Sequence, residues 1–149
     1  MEGENKLVLT AQSVFPSLFY CTVVISPVGH MPTDLQTKVF DFDRRIRYFG
    51  ILDEMGRTAT GGMRPGVKSL EPDQEAEMVD LQIAVTRGMA EAGSKYLGRT
   101  NYIIIHRERL MLIALPKKDR RTVLITAEPK FALDRLRDLI KIIDEGYYG

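Results

Sequence analysis

The order of periodicities along the chain predicts an α+β fold, a five-stranded antiparallel sheet flanked by helices in the order α-β-β-α-β-β-β-α. Three observations predict it. Two long segments repeat apolar residues at helical spacing, and a third such pattern closes the chain. Between them lie short β-rich runs whose connectors are too short for crossover helices. The strict alternation of strand and helix that a parallel, doubly wound sheet needs is missing.

The first helix is predicted at "PTDLQTKVFDFDRRI". Thr33 can cap it, Gln36 three residues on completes a capping box, and Leu35, Val39, Phe42 and Ile46 form one apolar face. "RYFGILD" reads as a strand, stopped by "DEMG", where Asp53 and Gly56 suit a tight turn and Gly56 takes positive φ without steric cost. "RTATGG" returns as the second strand, and "MRPGVKSLEP" is a loop.

From Pro72 to Tyr96 the helical signal is long. Acids crowd its start, where the helix dipole favours anions. Met78, Leu81, Val85, Met89, Ala92 and Tyr96 form one stripe, and Val79, Ile83 and Ala90 form a second, roughly 140° around the helix. A helix with two apolar faces has two surfaces to cover. After Gly98 come three apolar runs, "TNYIIIH", "RLMLIAL" and "RTVLITA", joined by "HRER" and "PKKDR". A closing helix is predicted from Pro129, with Ala132, Leu136, Leu139, Ile140 and Ile143 inward.

The 149 residues suffice for one domain, assigned to residues 31–149. Residues 1–30 are set apart as a leader. Leu7 to Gly29 carries no charge, but Pro16 and six Ser, Thr and Gln residues dilute it as a bilayer span, and "MEGENK" lacks a positive signal-peptide start. A misassigned start at Met31, a loosely held tail, a docked strand or helix, and a weak membrane segment all stay open. A formal net charge of +1 gives no field to recruit nucleic acid or an anionic membrane. Cys21 is the single cysteine and His30 and His106 the only histidines, so neither a disulfide nor a metal site of ordinary ligand type is expected, and no cofactor.

Enzymatic chemistry is not expected either. "GILDEMGRTATGGMRPG" lacks the Walker A spacing and does not lead from a strand into a helix N-terminus as a dinucleotide loop must. Asp53 and Glu54 read as turn acids facing water. His106 sits at the "HRER" tip with no nucleophile beside it, and Lys117–Arg121, "KKDRR", has cations for phosphate but no interleaved aromatics. Arg64 in "GGMRPG" is harder to assign, because a glycine-permissive loop can aim it.

The order and punctuation of residues 33–144 resemble the roadblock/dynein light-chain superfamily, whose three-layer plan is shared with profilin. "FGILDEMGRTATGG" is similar to its first hairpin and "EMVDLQIAVTRGMAEA" to its central helix. More narrowly, "GGMRPG", "KYLGRTNY" and "HRERLMLIALP" are similar to an archaeal family of single-domain roadblock-like proteins. The resemblance implies dimers, homo- or heteromeric, that serve as platforms for small GTPases or for motor and signalling complexes; the expectation for this chain is a non-catalytic, cytoplasmic, homodimeric scaffold or regulator with a small GTPase-type partner. Within it, central helices pair and third strands join edge to edge. The expected dimer residues are Val79, Ile83, Ala90, Tyr102, Ile103 and Ile105, since "TNYIIIH" lacks the charges that protect a solitary edge. Arg64, Arg107, Glu108 and Arg109 are the expected partner surface. The competing reading is a profilin-like or PAS-like domain that senses a small ligand in a cavity.

Overall fold

Helical and strand periodicities resolve into a single five-stranded sheet with helices on both faces. The computed structural model describes residues 30–148, with side chains from Asp34 onward. The leader therefore lies outside the described residues, apart from its last residue, His30, which opens α1. Helix α1 spans His30–Phe42 and starts three residues before Thr33, which therefore lies inside the helix rather than at its cap. Strands β1 (Ile46–Leu52) and β2 (Thr58–Met63) form the first hairpin. Helix α2 (Asp73–Ala90) runs through a 3-10 turn at Glu91–Gly93 into the single turn α3 (Ser94–Leu97). The meander is β3 (Ile103–His106), β4 (Met111–Pro116) and β5 (Thr122–Ala127). Helix α4 (Leu136–Tyr148) starts later than Pro129, because a turn and a 3-10 segment at Leu133–Arg135 intervene.

The strand order is β2-β1-β5-β4-β3 and every neighbouring pair is antiparallel. β2 and β3 are therefore the two edges. The exit of β2 and the β3–β4 turn share one end of the sheet, but they lie four strand spacings apart, about 19 Å.

Side chains alternate between the faces, as the pleat requires. On one face Phe49, Ile51, Ile113, Leu115, Val123 and Ile125 pack with Leu35 and Val39 of α1 and with Leu136, Leu139 and Ile143 of α4. On the other, Leu52, Leu112, Ala114 and Leu124 pack with one fully buried residue of α2, Ile83, while the half-buried Val79, Tyr48, Ile103, Ile105 and Leu110 close in from the sides.

Two expectations are corrected here. Ile46 belongs to β1, not to the first helix, yet it is fully buried in the core, and Phe40 rather than the half-buried Phe42 completes the buried face of α1. The stripes of α2 are the reverse of the expected ones. Val79 and Ile83 face their own sheet, Ala90 is half-buried, and the Met78, Leu81, Val85, Met89 stripe faces outward. The physical reason is clearance: the inner side of α2 also carries Ala76 and Ala84, whose short side chains let the helix settle against the sheet.

One turn shows how close that seat is. Gly56 has φ 85°, the left-handed region expected of it, and is buried. A Cβ there would stand 2.9 Å from the Asp80 carbonyl oxygen and 3.0 Å from the Leu81 Cα. Glycine is thus required twice, by backbone conformation and by contact with α2.

Candidate interaction surface

The outer face of α2 holds a solvent-facing apolar array. Met78, Leu81, Val85 and Met89 are 62, 44, 53 and 73% exposed, and beyond the helix Tyr96 and Leu97 are more exposed still. The spacing of three, four and four residues sets the first four along one stripe, as in a helix that packs on another helix. Polar termini do not interrupt it: Asp73 and Glu75 sit in the first turn, where the helix dipole favours them, and Arg87 lies in the last, on the other side.

β3 is the second part of the surface. It pairs with β4 on one side only, so its other row of backbone N–H and C=O groups faces away from the sheet. Ile103 and Ile105 lie on the α2 side, half-buried; Ile104 lies on the α1/α4 side; Tyr102, just before the strand, is 47% exposed. An edge that is apolar on both faces and carries no Lys or Pro is a template for another strand. α2 and the edge-strand pair Ile103 and Ile105 occupy the same side of the sheet.

The four expected partner residues are not brought together. Arg107, Glu108 and Arg109 form the exposed β3–β4 turn, closed by a hydrogen bond from the Arg107 amide to the Leu110 carbonyl, 2.8 Å. His106 precedes them, its Nε2 3.1 Å from the Pro129 carbonyl oxygen. Arg64 sits at the opposite edge and is structurally occupied. Its Nε donates to the Ile46 carbonyl and its Nη2 to the Phe40 and Asp43 carbonyls, each at 2.7 Å, while the guanidinium lies 4.9 Å over the Phe40 ring. Two of these acceptors lie at and just beyond the end of α1, where carbonyls have no helical partner. Arg64 thus closes α1 against the start of β1. Asp43 on the same corner is buried, accepts from the Arg45 amide, and pairs with Arg135.

The remaining charged motifs resolve into structure as well. Asp53 accepts from the Met55 and Arg57 amides at 2.9 Å each and from Arg57 Nε at 3.0 Å. Those hydrogen bonds, the Arg57 amide foremost, hold its carboxyl below the usual range. Glu54 pairs with Arg120 rather than with Asp53. In "KKDRR", Lys117 pairs with Asp144, and the Arg87 guanidinium donates to the carbonyls of Arg120 and Lys117 at 2.8 and 3.0 Å. The basic turn is thereby stitched to α2 and α4. Among the described residues no cluster of His, Cys, Asp and Glu stands ready to hold a metal ion, and no helix is long and apolar enough to cross a membrane.

A sheet of this order, with two helices on one face and one long helix on the other, matches the roadblock/LC7 fold. No family model matches the sequence, and no curated protein matches it. Solved structures do. The gliding protein MglB from Thermus thermophilus superposes with a TM-score of 0.64 over 83% of this chain and 93% of that one, at 12% identity. An MglB structure with a tetrameric arrangement gives 0.62 over 83% and 96%, at 15% identity. A roadblock/LC7 domain from Streptomyces avermitilis gives 0.56 over 77% and 96%, at 11% identity. At such identities the likeness is one of fold.

Proposed function

We propose that the protein is a non-catalytic, homodimeric roadblock-like scaffold or regulator of the cytoplasm, which docks a small GTPase-type partner. The observation that carries this reading is the exposed Met78, Leu81, Val85, Met89 stripe on the same side of the sheet as the unpaired β3 edge. Two-fold association pairs the two α2 helices and joins the two β3 strands in one act, since an isologous interface uses the same patch twice. The interface then contains the outer stripe of α2 with Tyr102, Ile103 and Ile105, in place of Val79, Ile83 and Ala90. Arg107, Glu108 and Arg109 stand exposed beside β3 as the partner-facing residues, and Arg64 is left to the fold. By "GGMRPG", "KYLGRTNY" and "HRERLMLIALP", the narrower kinship is with archaeal single-domain members of the superfamily.

Sedimentation equilibrium tests the first part. A dimer at micromolar concentration supports it, and a monomer there overturns it. For the partner, charge reversal of Arg107 and Arg109 should weaken capture of a GTP-loaded small GTPase from the same cells while sedimentation stays unchanged; capture at full strength by that variant removes these residues from the docking surface. One observation favours the ligand-sensing reading as a second role. A cavity opens between α2 and the sheet.

A further inference from the structure

The cavity lies under the first half of α2, on the sheet face that this helix covers alone. It encloses about 360 Å³, at the small end of the range typical of ligand sites. Tyr48, Leu112, Leu124 and Thr126 form its floor, Val79 and Ala76 of α2 its roof, and Met63 at the end of β2 and Leu70 of the β2–α2 connection its side. The Tyr48 ring lies across Gly50, where a Cβ would stand 2.2 Å from the phenol oxygen, so the ring is held flat against the strand.

The charges around this apolar space are predominantly negative. Glu71, Asp73, Glu77 and Asp80 line it. Arg47 is the single cation among the described lining residues, and its guanidinium donates to the Lys68 carbonyl at 2.7 Å. Asp80 is half-buried, and its one hydrogen bond is a long 3.4 Å contact from the Thr58 hydroxyl. A carboxylate withdrawn from water without a cation beside it is costly, and a positive group entering the cavity would offset that cost.

We propose that this cavity binds a small free organic ammonium ion, its charged nitrogen at Asp80 and its apolar body between the Tyr48 ring and Val79. The four carboxylates supply the charge complementarity, the aromatic face adds cation–π attraction, and the apolar walls admit a body without polar groups of its own. A metal ion would find too few converging ligands and a wall of hydrocarbon, and an anion would meet four like charges against the one cation of Arg47.

The titration of Asp80 agrees with this geometry. Burial pushes its carboxyl up to about 6, with Glu71 and Glu77 adding repulsion and the Thr58 hydroxyl opposing. The facing Tyr48 hydroxyl is itself raised, by burial and by the Asp80 charge, so it stays neutral, and Arg47 and Asp73 complete the charged surroundings. Cation binding is therefore expected to strengthen as pH rises through about 6, where Asp80 ionises.

The test uses the full chain and three probes, benzylammonium, hexylammonium and benzyltrimethylammonium chloride, against benzyl alcohol as the neutral control. Calorimetric titration and amide shifts at Tyr48 and Val79 are read at pH 7.5 and pH 5. At least one ammonium probe should bind saturably at one site per chain, about tenfold more tightly than benzyl alcohol and more weakly at pH 5. Asp80→Asn should lose that preference while its unliganded melting temperature holds or rises, which separates recognition from folding. Ala76→Phe should block both probe classes. The proposal is overturned if none of the three ammonium ions saturates, if benzyl alcohol binds equally well, or if Asp80→Asn retains the preference.

Discussion

The two faces of the sheet are built from the same strands and finished differently. Toward α1 and α4 the strands present Phe49, Ile113, Val123 and Ile125, all fully buried, and two helices close over them. Toward α2 the buried set shrinks to Leu52, Ile83, Leu112, Ala114 and Leu124, and one helix spans the face with a cavity at one end and an apolar stripe on its back. The first face is complete within one chain. The second is a layer with room beneath it and greasy surface above it, and its incompleteness is what makes it available for association.

Substitutions sharpen that contrast. On the finished face, Phe49→Ala should have the largest effect, about 3–5 kcal/mol of unfolding free energy, read by urea denaturation and independent of protein concentration. On the other face Ile83→Ala should cost about 2–4 kcal/mol, also without concentration dependence, because Ile83 is buried within the single chain. A loss that vanished on dilution would return Ile83 to an interface. Arg64→Met should cost about 2 kcal/mol, since carbonyls at the end of α1 lose a charged donor; Arg64→Lys should restore only part, because one ammonium cannot reproduce the fork.

Asp80 gives a smaller, pH-dependent effect. Its folded-state value, about 6, lies above the unfolded value, so its contribution is fully present below about pH 4 and is lost as pH rises through 6. Discounted for its half-exposed position, Asp80→Asn should gain about 1 kcal/mol at pH 8 and almost nothing at pH 4, measured by thermal or urea melts at both. Smallest for the fold is Val85→Glu, within about 0.5 kcal/mol for the isolated chain. The same change should convert dimers to monomers in sedimentation at micromolar concentration, and an undisturbed dimer would remove this stripe from the interface.

How far the sequence could be read depended on how local each determinant was. Element order, the Asp53–Gly56 turn and the apolar character of β3 follow from spacing within a few residues, while the edge position of β3 was implied by the resemblance, and all are found. The doubled apolar character of α2 was also readable. Its sidedness was not, because the outer stripe holds the bulkier residues, Met78, Leu81 and Met89, and size alone suggests that they belong inside. The inner side is chosen by clearance, through Ala76, Ala84 and the contact with Gly56. Arg64 failed as a surface residue for a related reason. Its acceptors, Phe40 and Asp43, are 24 and 21 positions away in sequence and meet it only when β2 pairs with β1.

The Gly56 turn pressed against the backbone of Asp80 and Leu81 has one more implication. It sets how closely α2 approaches the β1–β2 turn and so fixes the seat of the helix at Leu81. In the proposed dimer a second copy would meet a template already in its final shape, with little chain left to order at the encounter.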